Sequence, residues 1–287
     1  MKFACFAGEN GPRIGSVDEA RGLIRPVAAA RDMVDLITRY AQIKPQLSAD
    51  APALPLASVK LLAPIPAPRR NIFCVGKNYT DHAREFAGSG YEAGAVRGAE
   101  IDAYPAVFTK PANTVTGPGE TVSLHPHVTS AVDYEAELTL VIGKGGRDIP
   151  AARAYEHIWG YTIINDVTAR DRQRNHKQWF MGKALDGFCP MGPWIVTADE
   201  VDPENLDVRC WVNGELRQNA NTRDLIFNIP TLIATISAGL TLEPGDLIAT
   251  GTPAGVGLGF DPPKFLKAGD EVSMSITGLG TLSNRFA

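Results

Sequence analysis

The chain has 287 residues, of which 44% are hydrophobic and 21% are charged. These proportions are typical of a globular protein and exclude a chain that is mainly disordered. Lys plus Arg number 28 and Asp plus Glu number 32, a formal net charge of −4, so no nucleic-acid partner is expected. No apolar run approaches the ~18 residues of a membrane helix. The four cysteines form no Cys-x-x-Cys pair, which indicates reduced thiols and a cytoplasmic protein without membrane partners.

Glycine and proline are spread along the whole chain, with 28 Gly and 21 Pro, which indicates many short strands and tight turns. Residues 1–65 predict two short strands and one helix over about 28–40, followed by a Pro-rich extended stretch. We place a domain boundary there, between a small N-terminal α+β domain over 1–65 and a larger domain over 66–287. Strands and helices do not alternate regularly, which disfavours a doubly wound parallel sheet. The predicted class is α+β and mainly β.

The larger domain begins with a short buried strand at 71–76 and a helix over 79–86. The Gly-rich segment 87–101 lacks hydrophobic periodicity, and we predict that it is a lid, with a disordered loop as the alternative. Further strands are predicted at 106–110, 121–124, 136–142, 161–164, 194–196, 208–212, 247–249 and 271–276. Further helices are predicted at 151–158, 168–174 and 230–238.

The most informative segment joins several carboxylates to an apolar strand. Asp133, Glu135 and Glu137 stand at alternate positions before the apolar run 138–142, so they share one face if the strand begins that early. Like charges on one face repel one another and are costly to desolvate, and a cation relieves both costs. Asp166, at the end of a later strand, is a fourth oxygen donor. Such a set without Cys or His favours Mg²⁺, Mn²⁺ or Ca²⁺ over Zn²⁺, and a solvated acidic strand edge is the alternative.

Other polar side chains could act at the same place. His82 and Glu85 are three positions apart and share a helix face, and a carboxylate beside an imidazole makes the imidazole a better base. Lys183, in a Gly/Pro-rich stretch, could supply positive charge to a carboxylate or an oxyanion. Arg170 and Gln173 follow Asp166 and could face the same site. The alternatives are an incidental surface His–Glu pair, a snorkelling lysine and surface ion pairs.

A Gly-rich loop follows the apolar strand at 247–249. Its backbone N–H groups and its Thr hydroxyls, over residues 250–257, could hold an anion. It matches neither a Walker A loop nor a dinucleotide-binding turn, because the residues that end those motifs are missing. A plain β-turn is the alternative.

In this order the segments resemble the fumarylacetoacetate hydrolase family. The resemblance covers about residues 68–287, whereas residues 1–65 resemble only the variable N-terminal domain of bacterial two-domain members. The motifs that carry it are Gly76-Lys77-Asn78-Tyr79-x-x-His82-x-x-Glu85, Asp133-Tyr134-Glu135-x-Glu137, Asn165-Asp166-Val167-Thr168-x-Arg170-Asp171, Lys183 in its Gly/Pro frame, Val212-Asn213-Gly214-Glu215 and Gly251-Thr252-Pro253-x-Gly255-Val256-Gly257.

The resemblance implies a mixed β-sandwich roll, usually a homodimer, with Mg²⁺ or Mn²⁺ on Glu135, Glu137 and Asp166. Asp133 is not carried over as a ligand. The stretch 71–79 lacks the additional metal-binding aspartate of the animal enzymes, which points to the acylpyruvase and 2-keto acid branch.

The same resemblance implies roles for the remaining polar residues. His82 and Glu85 form a dyad that activates water or moves a proton, and Lys183 supports the oxygen atoms of the substrate. The residues expected to bind substrate are Thr252, Arg170 and Gln173.

The function expected from this resemblance is metal-dependent hydrolysis of a C–C bond in a β-diketo acid through a metal-bound enolate. Candidate substrates are an acylpyruvate, fumarylpyruvate or a diketo sugar acid. The same site would also suit a 2-oxo acid decarboxylase of the oxaloacetate type or a 2-hydroxyhepta-2,4-diene-1,7-dioate-type isomerase. A non-catalytic Ca²⁺-binding β module is a remote alternative, because it gives no role to His82 or Lys183.

Overall fold

The computed structural model describes residues 1–48, 51–87, 89–91 and 101–287. Its strands are β1 Lys2–Gly8, β2 Gly11–Asp18, β3 Leu23–Pro26, β4 Leu54–Pro55, β5 Leu61–Leu62, β6 Ile72–Gly76, β7 Ala106–Lys110, β8 Val115–Thr116, β9 Thr121–Val122, β10 Val132–Asp133, β11 Ala136–Ile142, β12 Ile158–Asn165, β13 Thr168–Ala169, β14 Cys189–Thr197, β15 Asp207–Val212, β16 Glu215–Asn221, β17 Leu247–Ala249, β18 Glu271–Ile276 and β19 Gly280–Phe286. Its α-helices are α1 Met33–Thr38, α2 Tyr40–Ile43, α3 Thr80–Ala87, α4 Arg170–Asn175, α5 Phe180–Lys183 and α6 Ile229–Ser237.

Two sheets form a sandwich, which confirms the predicted α+β, mainly β class. The larger sheet has the order β4-β3-β2-β1-β14-β12-β11-β17-β6-β7, with β5 on β1 and β8 on β14. The second sheet has the order β16-β15-β18-β19-β9, and β10 pairs with β13 alone. Leu138 and Leu140 of β11 share one buried apolar cluster with Val208 and Cys210 of β15 and Met274 of β18. The main core therefore lies between the sheets.

The central strand β11 sends alternate side chains to opposite faces. Leu138 and Leu140 belong to the core between the sheets, whereas Val141 belongs to a second apolar cluster. Glu137 has the same parity as Val141, so it points away from the core between the sheets. β11 pairs antiparallel with β12, and the register places Ala136 opposite Asn165. This register brings the residue after β12, Asp166, beside the start of β11.

The strands of residues 1–65 continue the large sheet, because β1 pairs with β14 through Lys2 and Val196. The single helix predicted over about 28–40 is two short helices in the structure, α1 and α2. α1 begins at Met33, because the Asp32 side chain accepts a hydrogen bond from the Asp35 N–H and caps it. The division into 1–65 and 66–287 stays a prediction.

Several predicted elements of the larger part differ from the structure. The predicted helix at 151–158 is a 3₁₀ helix, Ala151–His157. The predicted helix at 168–174 starts only at Arg170, because the two residues before it form β13 on β10. Most of the predicted lid, residues 88 and 92–100, lies outside the described residues. Within the described parts of the chain, no helix is long and apolar enough to cross a membrane.

Candidate active site

Three carboxylates converge at the junction of β10, β11 and β12. Oxygen atoms of Glu135, Glu137 and Asp166 lie within 4.8 Å of one another, and all three residues are buried. The backbone brings them together, because the Asp166 N–H donates to the carbonyl of Glu135 at 2.9 Å. The single strand face assumed for residues 133–137 is wrong, since β10 ends at Asp133 and β11 begins at Ala136. Three buried oxygen donors nevertheless match the preference of Mg²⁺ and Mn²⁺.

Buried cations lie against two of these carboxylates. Lys183 Nζ lies 2.8 Å from Glu135 Oε2 and 2.7 Å from Asp166 Oδ2. Lys110 Nζ lies 2.6 Å from Asp166 Oδ1, and Arg170 Nη1 lies 2.7 Å from Glu135 Oε1. The attraction within a buried ion pair offsets the cost of desolvating both ions only when the geometry is good and the remaining donors are satisfied.

The carboxylates differ in how easily they ionise. Burial alone would raise the pKa of Glu135, but Lys183 and Arg170 outweigh burial and lower that pKa to about 2. The pKa of Glu137 is raised well above its usual value by burial and by the charges of Asp166 and Glu135. Burial would lower the pKa of Lys183, but Asp166 and Glu135 raise it instead. The donor set thus fits a divalent cation, which would relieve the repulsion at Glu137.

The His–Glu pair on α3 is formed as its spacing predicts. His82 Nδ1 lies 3.0 Å from Glu85 Oε2, and the Glu85 Oε1 atom accepts the Gly255 N–H at 3.0 Å. Because an ionised carboxylate only accepts, Nδ1 carries the proton of this bond and Nε2 is the basic nitrogen. Gly259 leaves the space for this carboxylate, since a Cβ atom there would lie 1.8 Å from Glu85 Oε1.

The Gly-rich loop after β17 donates its N–H groups to the protein's own carboxylates. The Gly251 N–H donates to Glu137 at 2.8 Å, and the Gly255 N–H donates to Glu85 at 3.0 Å. The Gly257 N–H and the adjacent Leu258 N–H donate to Asp133, at 2.6 and 3.1 Å. These four donors bind carboxylates that belong to the chain, and the binding of an external anion by the loop stays a prediction.

A small, partly open cavity joins these groups. Its empty space, including solvent at its mouth, is about 300 Å³, but only about 20 Å³ accommodates the centre of a water molecule. Seven of the nine predicted site residues line it: His82, Glu135, Glu137, Arg170, Gln173, Lys183 and Thr252. Glu85 and Asp166 lie behind them, bonded to His82 and Lys183. The aromatic rings of Phe86, Phe108 and Trp179 form an apolar wall.

The three residues predicted to bind substrate are held differently. The Thr252 hydroxyl donates to the Ala136 carbonyl at 3.1 Å and accepts from Gln218 at 2.8 Å. Gln173 Oε1 accepts from Arg170 Nη1 at 3.2 Å. Arg170 Nη2 is buried and has no hydrogen-bond partner among the described residues. Arg170 therefore keeps a free donor beside the cavity, whereas the Thr252 hydroxyl is already engaged.

Two lysines of the site were not among the predicted residues. Lys110, at the end of β7, is fully buried and donates to Asp166 and to the Val167 carbonyl. Lys77, at the end of the Gly76-Lys77 turn, lines the cavity and lies 2.5 Å from Asp102 Oδ2. A lysine that ends an apolar strand, as Lys110 does, was the available sequence signal.

Comparison with known proteins agrees with this geometry. Residues 71–287 match the family described as fumarylacetoacetate (FAA) hydrolase C-terminal. The chain is 54% identical over 231 residues to oxaloacetate tautomerase YisK of Bacillus subtilis, covering 80% of this chain and 74% of that protein.

Two solved structures align with the whole of this chain, and the alignment covers 99% of each of their own chains. The fumarylacetoacetate hydrolase of the psychrophilic Exiguobacterium antarcticum is 41% identical, with a TM-score of 0.84. The maleylpyruvate hydrolase of Sphingobium sp. SYK-6, solved with manganese(II) and pyruvate, is 33% identical, with a TM-score of 0.80. The chain therefore belongs to the fumarylacetoacetate hydrolase family, whose members are enzymes.

Proposed function

We propose that this protein catalyses a metal-dependent reaction of a 2-oxo acid through its enolate, with keto–enol tautomerisation of oxaloacetate as the first reaction to test. The observation that carries the proposal is the convergence of a buried carboxylate triad and a His82–Glu85 dyad on one small cavity. The 54% identity to an oxaloacetate tautomerase supports this choice of reaction.

The three carboxylates of Glu135, Glu137 and Asp166 would hold Mg²⁺ or Mn²⁺. When bound, the ion supplies positive charge next to the oxygen atom that becomes negative in the enolate. The protein adds the Lys183 ammonium group, which already lies against two of these carboxylates. Arg170 is proposed to bind a substrate carboxylate, and its buried, unpaired Nη2 donor supports this role. Thr252 and Gln173, which also line the cavity, are proposed to fix the substrate beside it.

The proton transfer is assigned to His82. Its Nε2 atom takes the proton from C3 of the oxo acid, and the electron pair of that C–H bond forms the C2–C3 double bond. The proton then passes from the imidazolium to the oxygen on C2, so tautomerisation consumes nothing and releases nothing. Glu85 stabilises the imidazolium through the Nδ1 hydrogen bond.

Hydrolysis of a C–C bond, the function favoured by the sequence, is the second candidate. The 33% identity to a maleylpyruvate hydrolase favours it. Here His82 would take a proton from water, and the resulting hydroxide would attack the distal carbonyl. The C–C bond between that carbonyl and C3 would break to release a carboxylic acid and the enolate, and the imidazolium would return its proton to C3 of the enolate. Decarboxylation and isomerisation pass through the same kind of enolate and use the same groups.

One assay separates these reactions. Purified protein with Mg²⁺ or Mn²⁺, or with EDTA, is incubated with oxaloacetate while enol absorbance is followed. Acylpyruvates, fumarylpyruvate and diketo sugar acids are tested in parallel, and products are identified by mass. We expect accelerated tautomerisation that EDTA abolishes. A folded protein that converts none of these acids with either metal would contradict the proposal.

We also propose that the protein is a homodimer, as the family resemblance implies. Within the described residues β7 ends the large sheet, and exposed apolar side chains lie beside that edge: Tyr104, Val107, Phe180 and Met181. An unpaired edge with exposed apolar residues is typical of an interface. Light scattering after size exclusion should give twice the chain mass, and Val107→Lys should lower it. A wild-type protein with the mass of one chain would contradict this.

A further inference from the structure

We propose that Lys77 selects 2-oxo acids that carry a second carboxylate, and that Asp102 is its counter-ion when no substrate is bound. The substrate class is then a short dicarboxylic 2-oxo acid. This inference rests on the proposed function, because the metal and Arg170 are assumed to hold the first carboxylate and the 2-oxo group.

The Lys77 ammonium group is buried beside the cavity and incompletely bonded. Its side chain is 7% exposed, and it lines the same cavity as His82 and Arg170. Nζ forms an ion pair with Asp102 Oδ2 at 2.5 Å, and the described residues give it no further hydrogen-bond partner. A buried ammonium group with unused donors is costly to keep. A ligand carboxylate in the cavity would supply the missing acceptor.

The backbone conformation of Lys77 also supports a functional role for its side chain. Its φ is +51°, a left-handed conformation that residues with a Cβ adopt at a cost of about 1 kcal/mol and glycine adopts freely. Strained positions of this kind cluster at functional sites. A glycine would suit the turn better, so the side chain rather than the turn explains a lysine here.

The charges around the cavity require a further cation for a dianionic substrate. With His82 neutral and Glu137 ionised beside the metal, the charged groups around the cavity leave two negative charges in excess, and a divalent ion would change this to zero. These groups are Lys110, Lys183, Arg170, Asp133, Glu135, Glu137, Asp166 and Glu85. A neutral site balances neither carboxylate of a dianionic substrate. Lys77 adds a positive charge when it leaves Asp102, whose side chain is 24% exposed and can be solvated without it.

The size of the cavity limits the length of the acid. Only about 20 Å³ accommodates the centre of a water molecule, well below the usual volume of a ligand site, so a substrate must shift neighbouring side chains and a short acid needs the smallest shift. The apolar wall of Phe86, Phe108 and Trp179 has no charge that would bind a second carboxylate, whereas Lys77 has one. A short dicarboxylate that ends at Lys77 satisfies both conditions.

The test compares two unreactive acids that share a 2-hydroxy acid head, malate and lactate, of which only malate has a second carboxylate. Their affinities are measured by calorimetry with excess Mg²⁺, and oxalate, which has only the chelating head, is the reference ligand. The variants are Lys77→Met, Lys77→Arg, Lys77→Gly and Asp102→Asn. Thermal melting of each variant is recorded without ligand.

We expect wild type to prefer malate over lactate by about tenfold or more, the usual effect of a charge-assisted hydrogen bond. Lys77→Met and Lys77→Gly should lose that preference and keep oxalate binding, and Lys77→Arg should retain most of it. Asp102→Asn should strengthen malate binding, because Lys77 then has no competing partner. Lys77→Gly should melt close to wild type, since the turn accepts glycine, so that a lost preference cannot be attributed to unfolding.

The measurements distinguish a failure of the Lys77 role from a failure of the proposed function. If oxalate binds all variants and Lys77→Met keeps the preference for malate, the role of Lys77 is wrong and the proposed function stands. The same conclusion follows if wild type itself shows no preference. If oxalate does not bind wild type with Mg²⁺ or Mn²⁺, the proposed function fails, and the role of Lys77 fails with it.

Discussion

At the scale of single residues, the geometry of the His82–Glu85 dyad depends on Gly259. A Cβ atom at this exposed position would lie 1.8 Å from Glu85 Oε1. Because the end of a Glu side chain is flexible, we expect Gly259→Ala to displace the carboxylate with little loss of stability. The displacement breaks its bonds to His82 and to the Gly255 N–H. The measurement is kcat together with thermal melting. In a Glu85→Ala background Gly259→Ala should cost nothing further, and an additional loss there would contradict this explanation.

Removal of the base should slow the reaction without removing the metal. His82→Ala is expected to lower turnover by roughly 10²–10⁴-fold, the usual contribution of a positioned acid–base group. Glu85→Gln should lose less, because Glu85 acts through the imidazole. Steady-state kinetics on the best substrate and calorimetry with Mg²⁺ measure the two effects. Normal turnover in both variants would show that the dyad is structural.

Glu137 should matter more for metal binding than for the stability of the fold. Burial and the neighbouring charges of Asp166 and Glu135 raise the pKa of Glu137, so a neutral Gln removes an unfavourable charge and still accepts the Gly251 N–H. Glu137→Gln should therefore weaken Mg²⁺ or Mn²⁺ binding strongly in calorimetry and melt at or above the wild-type temperature without metal. Glu9→Gln, at an exposed position, is the control for charge removal. Unchanged metal binding in Glu137→Gln would refute the site.

At the scale of elements, Asn78 joins three segments at the start of α3. Its side chain donates to the carbonyls of Thr250 and Phe227, at 2.7 and 3.0 Å, and accepts the Phe227 N–H at 2.7 Å. Asn78→Ala leaves buried backbone groups unpaired and should cost about 2–4 kcal/mol. Chemical denaturation measures this cost. Asn228→Ala, which removes only the cap of α6, should cost about 1 kcal/mol. Equal losses in the two variants would contradict the role of Asn78.

The sequence predicted those elements whose patterns are local. The strands at 106–110, 247–249 and 271–276 have the predicted bounds, because short apolar runs between turn residues define them. The hairpin of β15 and β16 was not predicted, although Asn213 and Gly214 at its turn both have positive φ angles, the pattern of a type I′ turn. The start of α4 was placed too early, because only pairing with the distant β10 keeps the two preceding residues extended.

Prediction of the candidate site from the sequence is limited in the same way. Spacing predicted Glu135 with Glu137 and His82 with Glu85, since the members of each pair are only two or three positions apart in the sequence. Lys110 reaches the carboxylates only through the tertiary fold, because it contacts Asp166, 56 positions later in the chain. Likewise, the tertiary fold brings Lys77 to a cavity that distant segments line. Sequence patterns carry no information on such long-range contacts unless the fold is known.

At the scale of the whole molecule, the chain should unfold as one unit across the boundary proposed near residue 65. β1 continues the large sheet on β14, and Cys5 shares an apolar cluster with Cys74 and Cys189. A separate N-terminal domain would have its own core, whereas this core draws on both sides of the boundary. The four cysteines are free and buried, so their thiols can report on each side of it.

Thiol labelling tests this cooperativity. Burial and the charge of Asp32 raise the pKa of Cys5 to about 11, and burial raises that of Cys189 to about 12. Few thiolates therefore exist near pH 8, and native protein should not react with a thiol reagent, whereas Ala268→Cys, at an exposed position, should react at once. In increasing urea all four thiols should become reactive over one transition, with labelled residues identified by mass. Labelling of Cys5 at lower urea than Cys189 would show that residues 1–65 open independently.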